Sequence, residues 1–249
     1  MGNRRSFLFF QSLLQIKTDK MKKLFYLMMG ALAILTSACT KEDSSDVNQN
    51  KIYCDYELFY NANEDKTHVV ARFRFGGLTG TILELTDSSG ASVKFNGDIL
   101  PYNHLYTGHH KEYAGQLTTG TFVYTNTAGN VFTNTVPSGA TIAFPSDLDT
   151  IRKSIANTVT WVGPALSANE YAGIYIGTPA WGKDALFFNS DLGGTNIVMG
   201  VSQKANLTLG NATLVMDRKT TVNVTEGTEK GGQIRYRYRC PNKAVVIVN

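Results

Sequence analysis

Three of the chain's four histidines fall within nine residues, Tyr102-Asn103-His104-Leu105-Tyr106-Thr107-Gly108-His109-His110. Neighbouring imidazoles can bind zinc or copper. His109 and His110 are adjacent, so on a strand they point to opposite faces, and no cysteine or carboxylate stands at ligand spacing beside them. The expectation is a polar loop or edge with exposed imidazoles and no metal or other cofactor, in which Tyr106, His109 and His110 are candidate ligand contacts. Trp181 sits among turn formers in Gly177-Thr178-Pro179-Ala180-Trp181-Gly182-Lys183. An aromatic held on such a loop can stack on the apolar face of a sugar, which makes Trp181 the remaining ligand-binding candidate. Trp161, inside the alternating run 158–162, reads as core. Arg235, Arg237 and Arg239 alternate with Ile234, Tyr236, Tyr238 and Cys240. That stripe either meets an anionic partner or is neutralised by acids on a neighbouring strand; the second is the simpler expectation.

Catalytic signatures are missing. There is no Gly-x-Ser-x-Gly elbow, no His-Glu-x-x-His pair, no phosphate-binding Gly-Lys-Ser/Thr loop and no strand–helix alternation to hold a dinucleotide. The chain therefore reads as non-enzymatic. Its 249 residues carry a net charge of +4, but the excess is local. Residues 1–38 hold six Lys or Arg and one acid, Asp19; taking these from the chain's 24 basic and 20 acidic residues leaves 18 and 19 from Cys39 onward. A body without a cationic surplus is a poor match to nucleic-acid phosphates, so no nucleic-acid partner is expected.

The elements that must carry these residues alternate with period two almost everywhere from Ile52. In 52–60, Ile52, Cys54, Tyr56, Leu58 and Tyr60 share a face against Asp55 and Glu57. In 68–75, Val69, Ala71, Phe73 and Phe75 oppose Arg72 and Arg74. Runs at 81–86 and 91–95 flank a turn, and 120–127 and 131–136 form a hairpin around Ala128-Gly129-Asn130. Further runs lie at 158–162, 171–176, 185–189, 196–201, 205–209, 212–216, 220–224, 233–240 and 244–248. Ser146-Asp147-Leu148-Asp149 could cap a short helical turn that carries Leu148, Ile151 and Ile155. Short strands with turns every eight to twelve residues argue for an all-β sandwich architecture. Gly120-Thr121-Phe122-Val123-Tyr124, a turn and then alternating Thr resembles the last hairpin of bacterial Ig-like domains. That resemblance implies two tandem Ig-like antiparallel β-sandwich domains at 52–143 and 144–249, with one larger sandwich as the alternative. Cys54 and Cys240 lie on the apolar sides of strands in different modules, about one module length (~30 Å) apart, and are expected as two buried free thiols.

Upstream, Met21-Lys22-Lys23 opens a positive region, residues 24–35 are apolar or small, and Thr36-Ser37-Ala38-Cys39 follows. Twelve such residues are short for a bilayer core of ~30 Å, and small residues before a cleavage point mark a secretory signal. A cysteine at this place resembles a bacterial lipoprotein signal, although the position that usually carries Leu holds Thr36, with Leu35 one step earlier. The resemblance implies a signal peptide over 1–38, with Met21 as the expected true start. It also implies lipidation of Cys39 by fatty chains such as palmitate, and a membrane anchor. Residues 39–51 are polar and read as a flexible tether. Their Lys41-Glu42-Asp43 resembles the surface-export signal of Bacteroidetes lipoproteins, which implies an outer-membrane location facing outward. The whole reads as a lipoprotein that binds a polysaccharide or a surface protein, or alternatively as a fimbrial-type subunit that polymerises by strand donation.

Overall fold

Alternation of apolar and polar residues in the sequence becomes alternation of buried and exposed side chains in the computed structural model, which describes residues 42–178 and 182–249. The first half contributes β1 (Glu42–Asp43), β2 (Ile52–Asn61), β3 (Lys66–Phe75), β4 (Thr81–Glu84), β5 (Ser92–Phe95), β6 (Asp98–Ile99), β7 (Tyr102–Asn103), β8 (Gly108–Ala114), β9 (Thr121–Thr125) and β10 (Val131–Thr135). The second half contributes β11 (Thr150–Arg152), β12 (Asn157–Thr160), β13 (Glu170–Gly177), β14 (Ala185–Asn189), β15 (Asn196–Met199), β16 (Gly210–Asn223), β17 (Gly232–Arg239) and β18 (Lys243–Val248). The described residues are all-β apart from short 3-10 turns, and none of their helices is long and apolar enough to cross a membrane.

One large sheet runs β1-β4-β3-β2-β17-β16-β13-β14, with β8 and β7 continuing from β3, and β18 and β11 from β16. The smaller sheets β10-β9-β5-β6 and β12-β15 complete the sandwich-type fold, whose buried apolar residues form two cores. The first core packs Ile52, Cys54, Tyr56, Leu58, Val69 and Phe73 of the large sheet with Val93, Phe95, Phe122 and Tyr124 of the four-stranded sheet. The second gathers Ile174, Ile176, Phe187, Leu214 and Met216 with Val159, Trp161, Ile197 and Met199. Trp161 is core, as expected, and its indole donates to the Pro164 carbonyl at 3.1 Å. The chain does not divide cleanly at 143/144. β17 comes from the second half yet pairs in parallel with β2, Gly232 opposite Cys54 and Arg239 opposite Asn61, and its Ile234 and Tyr236 belong to the first core.

Cys54 and Cys240 are free and buried, one in each core. Cys54 lies beside Gly232, eight residues before Cys240 along β17, which separates the thiols by ~26 Å at ~3.3 Å per residue. Burial pushes the Cys54 thiol up to about 12 and Cys240 to about 11, so both behave as small apolar side chains.

Four local expectations change. Residues 42–51 are not a free tether. β1 pairs in parallel with β4 and Ser44 is buried. Gln49 donates to the Ser44 and Val47 carbonyls at 2.6 and 2.9 Å and accepts from Thr127 N. The Gln49 side chain holds the segment together with Val47, which packs against the first core. Residues 146–155 form no helix: after a turn, β11 pairs in parallel with β18, burying Ile151 and leaving Ile155 exposed, so sheet pairing overrides the helical spacing. Residues 205–209 are not a strand, because Lys204 is buried with its ammonium on the Arg152 and Ile155 carbonyls and pins a 3-10 turn. The two runs at 212–216 and 220–224 are one strand, β16, continuous through Asp217-Arg218-Lys219.

That continuity depends on pairing the charges. Arg218 is buried against Glu170 and also donates to the Pro164 and Ala165 carbonyls. On the opposite face Asp217 accepts from Arg237 and Arg239. Burial would raise the Asp217 carboxyl, but Arg239 and Arg237 outweigh it and hold it below the usual carboxylate range. A depressed native value adds stability that is full above the unfolded value of ~3.9 and is lost as pH falls through the native one. Asp217→Asn should therefore lower stability at neutral pH by about 2 kcal/mol and flatten the loss that sets in as pH falls below about 4, read from chemical denaturation at a series of pH values.

Candidate functional site

The histidine segment is a hairpin: β7 leads through a turn that leaves His104 exposed, as expected, into β8. β8 pairs antiparallel with β3, placing His109 opposite Ala71, His110 opposite Val70 and Glu112 opposite His68. Expected as exposed imidazoles, His109 and His110 are both buried, 3% and 7% exposed, because β3 covers them on one side and β7 with its turn on the other. The opposite-face expectation for the pair is met. His109 points into the first core against Phe73. Its Nε2 accepts from Leu85 N at 3.1 Å and its Nδ1 lies 2.9 Å from the Leu100 carbonyl. Those partners set the tautomer with the proton on Nδ1, and burial lowers its pKa. With both nitrogens engaged, His109 joins β4 to the segment before β7 and has no lone pair left for a ligand.

His110 turns to the outer face and meets residues the sequence does not place near it. Tyr106 stacks on it with ring centroids 3.7 Å apart, and His68 of β3 stacks at 5.6 Å. His68 Nδ1 lies 3.3 Å from His110 Nε2, 3.2 Å from the Tyr106 hydroxyl and 3.7 Å from Glu112 Oε1. On its other side His68 Nε2 is 3.2 Å from Glu64 Oε2. Lys66 holds the second Glu112 oxygen at 2.8 Å, and that hydrogen bond leads the lowering of the Glu112 pKa. Phe59 stacks on His68. Burial, then the neighbouring His68, lowers the pKa of His110. One ligand atom from each of His68, His110 and Glu112 lies within 4.8 Å of the others.

The sequence contained part of this. Glu112 is two residues after His110, so on a strand it shares His110's face; reading the segment as a loop hid that carboxylate. His68, 42 positions away, is brought in by the β3–β8 register alone.

The arginine stripe is neutralised within the same outer face. Arg235 Nη2 lies 2.6 Å from Asp55 Oδ1, Arg237 meets Asp217 and Glu57, and Arg239 meets Asp217. Arg237 and Arg239 also lie over the Phe59 ring, at 4.3 and 5.3 Å. The stripe is therefore a paired ladder.

Trp181 and Cys39 lie outside the described residues. The strands flanking the Trp181 loop are described. Among the described residues an open depression of about 770 Å³ is lined by Asp149, Gly177, Thr178, Asn211, Thr213 and Val246 among others. Asp149, Asn211 and Thr213 are exposed there. Two residues along β13 from Gly177, Tyr175 faces outward beside Leu186 of β14, followed by Phe188; these are 41%, 62% and 67% exposed.

No family profile and no curated protein matches the chain. Among solved structures it is similar to one from work on host cell surface retention of a 1.5-MDa bacterial ice-binding adhesin, at 14% identity and a TM-score of 0.23. The alignment covers 79% of this chain and 64% of that one, and so slight a likeness carries no argument about function.

Proposed function

We propose that this chain is an outer-membrane lipoprotein, anchored through Cys39 and facing outward, whose β-sandwich body binds a polysaccharide or a surface protein and catalyses nothing. The anchoring half rests on the Lys22-Lys23, apolar, Thr36-Ser37-Ala38-Cys39 order. Three residues, Cys39 to Lys41, precede the first paired strand, a span of at most ~10 Å, so an anchored body would stand close to the bilayer.

The observation that carries the binding half is the depression lined by Asp149, Gly177, Thr178, Asn211 and Thr213. Binding sites combine a concave surface with a few placed polar groups. Asp149, Asn211 and Thr213 offer acceptors and donors for hydroxyls, Gly177 leaves room, and Tyr175 and Phe188 supply aromatic faces for the apolar side of a sugar ring; Trp181, three residues after Thr178 in sequence, is the further aromatic candidate. The small residues at the floor and the large apolar ones beside it lie on one outer sheet face.

Two experiments test the two halves. For the anchor, Cys39→Ala should move the protein from the membrane fraction to the soluble one, or leave it unprocessed; unchanged partition and unchanged N-terminal mass would remove the lipoprotein reading. For binding, the full chain in detergent should retain a subset of glycans on an array. Trp181→Ala and Asn211→Ala should each weaken that binding by about tenfold, the equivalent of ~1.4 kcal/mol. A correctly folded protein silent on every glycan turns the search to protein partners, and a ladder of polymers on size-exclusion chromatography would favour strand donation instead.

A further inference from the structure

Hydrogen-bond accounting around His68 leaves an electron-rich centre. Its Nε2 faces the Glu64 carboxylate at 3.2 Å, so that nitrogen carries the ring proton and Nδ1 presents a bare lone pair. Three polar atoms crowd this one lone pair: His110 Nε2 at 3.3 Å, the Tyr106 hydroxyl at 3.2 Å and Glu112 Oε1 at 3.7 Å. It can accept one hydrogen, from Tyr106 or from His110 but not from both, and the ionised carboxylate has none to give. Protein donors alone leave the centre with more lone pairs than protons.

We propose that His68 Nδ1, His110 Nε2 and Glu112 Oε1 bind a divalent first-row metal ion of the zinc type, with the Tyr106 hydroxyl or a water in the fourth position. Zinc bonds to nitrogen and oxygen are about 2.0–2.2 Å long, which in a tetrahedron sets ligand atoms about 3.3–3.5 Å apart. The spacings from His68 Nδ1, 3.2 Å to Tyr106, 3.3 Å to His110 and 3.7 Å to Glu112, lie near that value, and the ligand atoms of His110 and Glu112 lie within 4.8 Å of each other. Two imidazoles and one carboxylate suit zinc, copper or nickel and discriminate against magnesium and calcium, which want oxygen ligands.

The surroundings are those of a prepared site. Glu64 on the far nitrogen of His68 makes the carboxylate–histidine–metal arrangement that fixes a ligand's tautomer and raises its basicity. Lys66 on Glu112 Oε2 leaves Oε1 for the ion. Phe59 and Tyr106 stack on the two imidazoles and hold their planes. All of this stands on the pairing of β3 with β8, which puts His68 opposite Glu112 and one diagonal step from His110. The site is on different strands from the depression lined by Asp149, Asn211 and Thr213, so it stands or falls independently of glycan binding.

The test is titration of the chelator-stripped full chain with Zn²⁺ against a chromophoric competitor, with Mg²⁺ as a control and Co²⁺ as an optical probe. The expected result is one equivalent of Zn²⁺ bound, no competition from Mg²⁺, and a visible Co²⁺ band of tetrahedral intensity. His110→Ala should weaken Zn²⁺ binding by more than ~100-fold, and Glu64→Gln by ~10–100-fold as befits an outer-shell partner. Glu112→Gln, at a half-exposed position that leaves the fold intact by circular dichroism, should weaken binding and abolish the tetrahedral Co²⁺ band. His104→Ala, on the same segment but exposed, should change nothing. Failure to take up Zn²⁺, uptake unchanged in folded Glu112→Gln, or uptake lost in His104→Ala would each overturn the proposal.

Discussion

β17 holds the molecule together. It lies between β2 in parallel and β16 in antiparallel pairing, so a strand near the end of the chain is the seam between the first core and the second. Its inward residues Ile234 and Tyr236 fill the first core, and Cys240 just beyond it fills the second. Its outward residues include three arginines that would be a costly row of like charges if β2 and β16 did not present Asp55, Glu57 and Asp217. The approach at its start is so close that a Cβ on Gly232 would lie 2.2 Å from the Cys54 carbonyl oxygen. Glycine is required there by contact, independently of backbone angle.

This arrangement explains why charged groups crowd one outer sheet face without making it an anion-binding surface. Asp55 and Glu57 answer Arg72 as well as Arg235 and Arg237, and Asp217 answers Arg237 and Arg239. At one end of this ladder Lys66 answers one Glu112 oxygen, and the lone pairs of His68, His110 and the other Glu112 oxygen gather beside it. Beyond its other side, on β13 and β14, charge gives way to Tyr175, Leu186 and Phe188. One continuous sheet face thus offers three chemically different surfaces, and the two with unfulfilled interactions are those assigned to binding.

The strands were mostly legible because local alternation sets which side chains are buried: β2, β3, β13 and β14 fall within two residues of their expected limits. What depended on distant pairing was not. β8 carries polar residues on both faces and is a strand because β3 and β7 flank it. β11 follows β18 instead of its own helical spacing, and residues 42–51 are held by Gln49 and Asp43, polar residues that resemble linker in composition. At the candidate site, opposite facing of His109 and His110 was readable from adjacency, and Glu112 was within reach of the same rule. His68 was not, since nothing local links positions 68 and 110.

If β17 joins the two cores, the described body unfolds as one cooperative unit. Differential scanning calorimetry of the wild type, of Val69→Ala in the first core and of Ile174→Ala in the second tests this directly. The account predicts a single transition in all three, with calorimetric and van't Hoff enthalpies equal. Each substitution should move that one transition down by several degrees, as expected for losses of about 1–4 kcal/mol in a body of this size. Two transitions, one shifted only by Val69→Ala and the other only by Ile174→Ala, would contradict it.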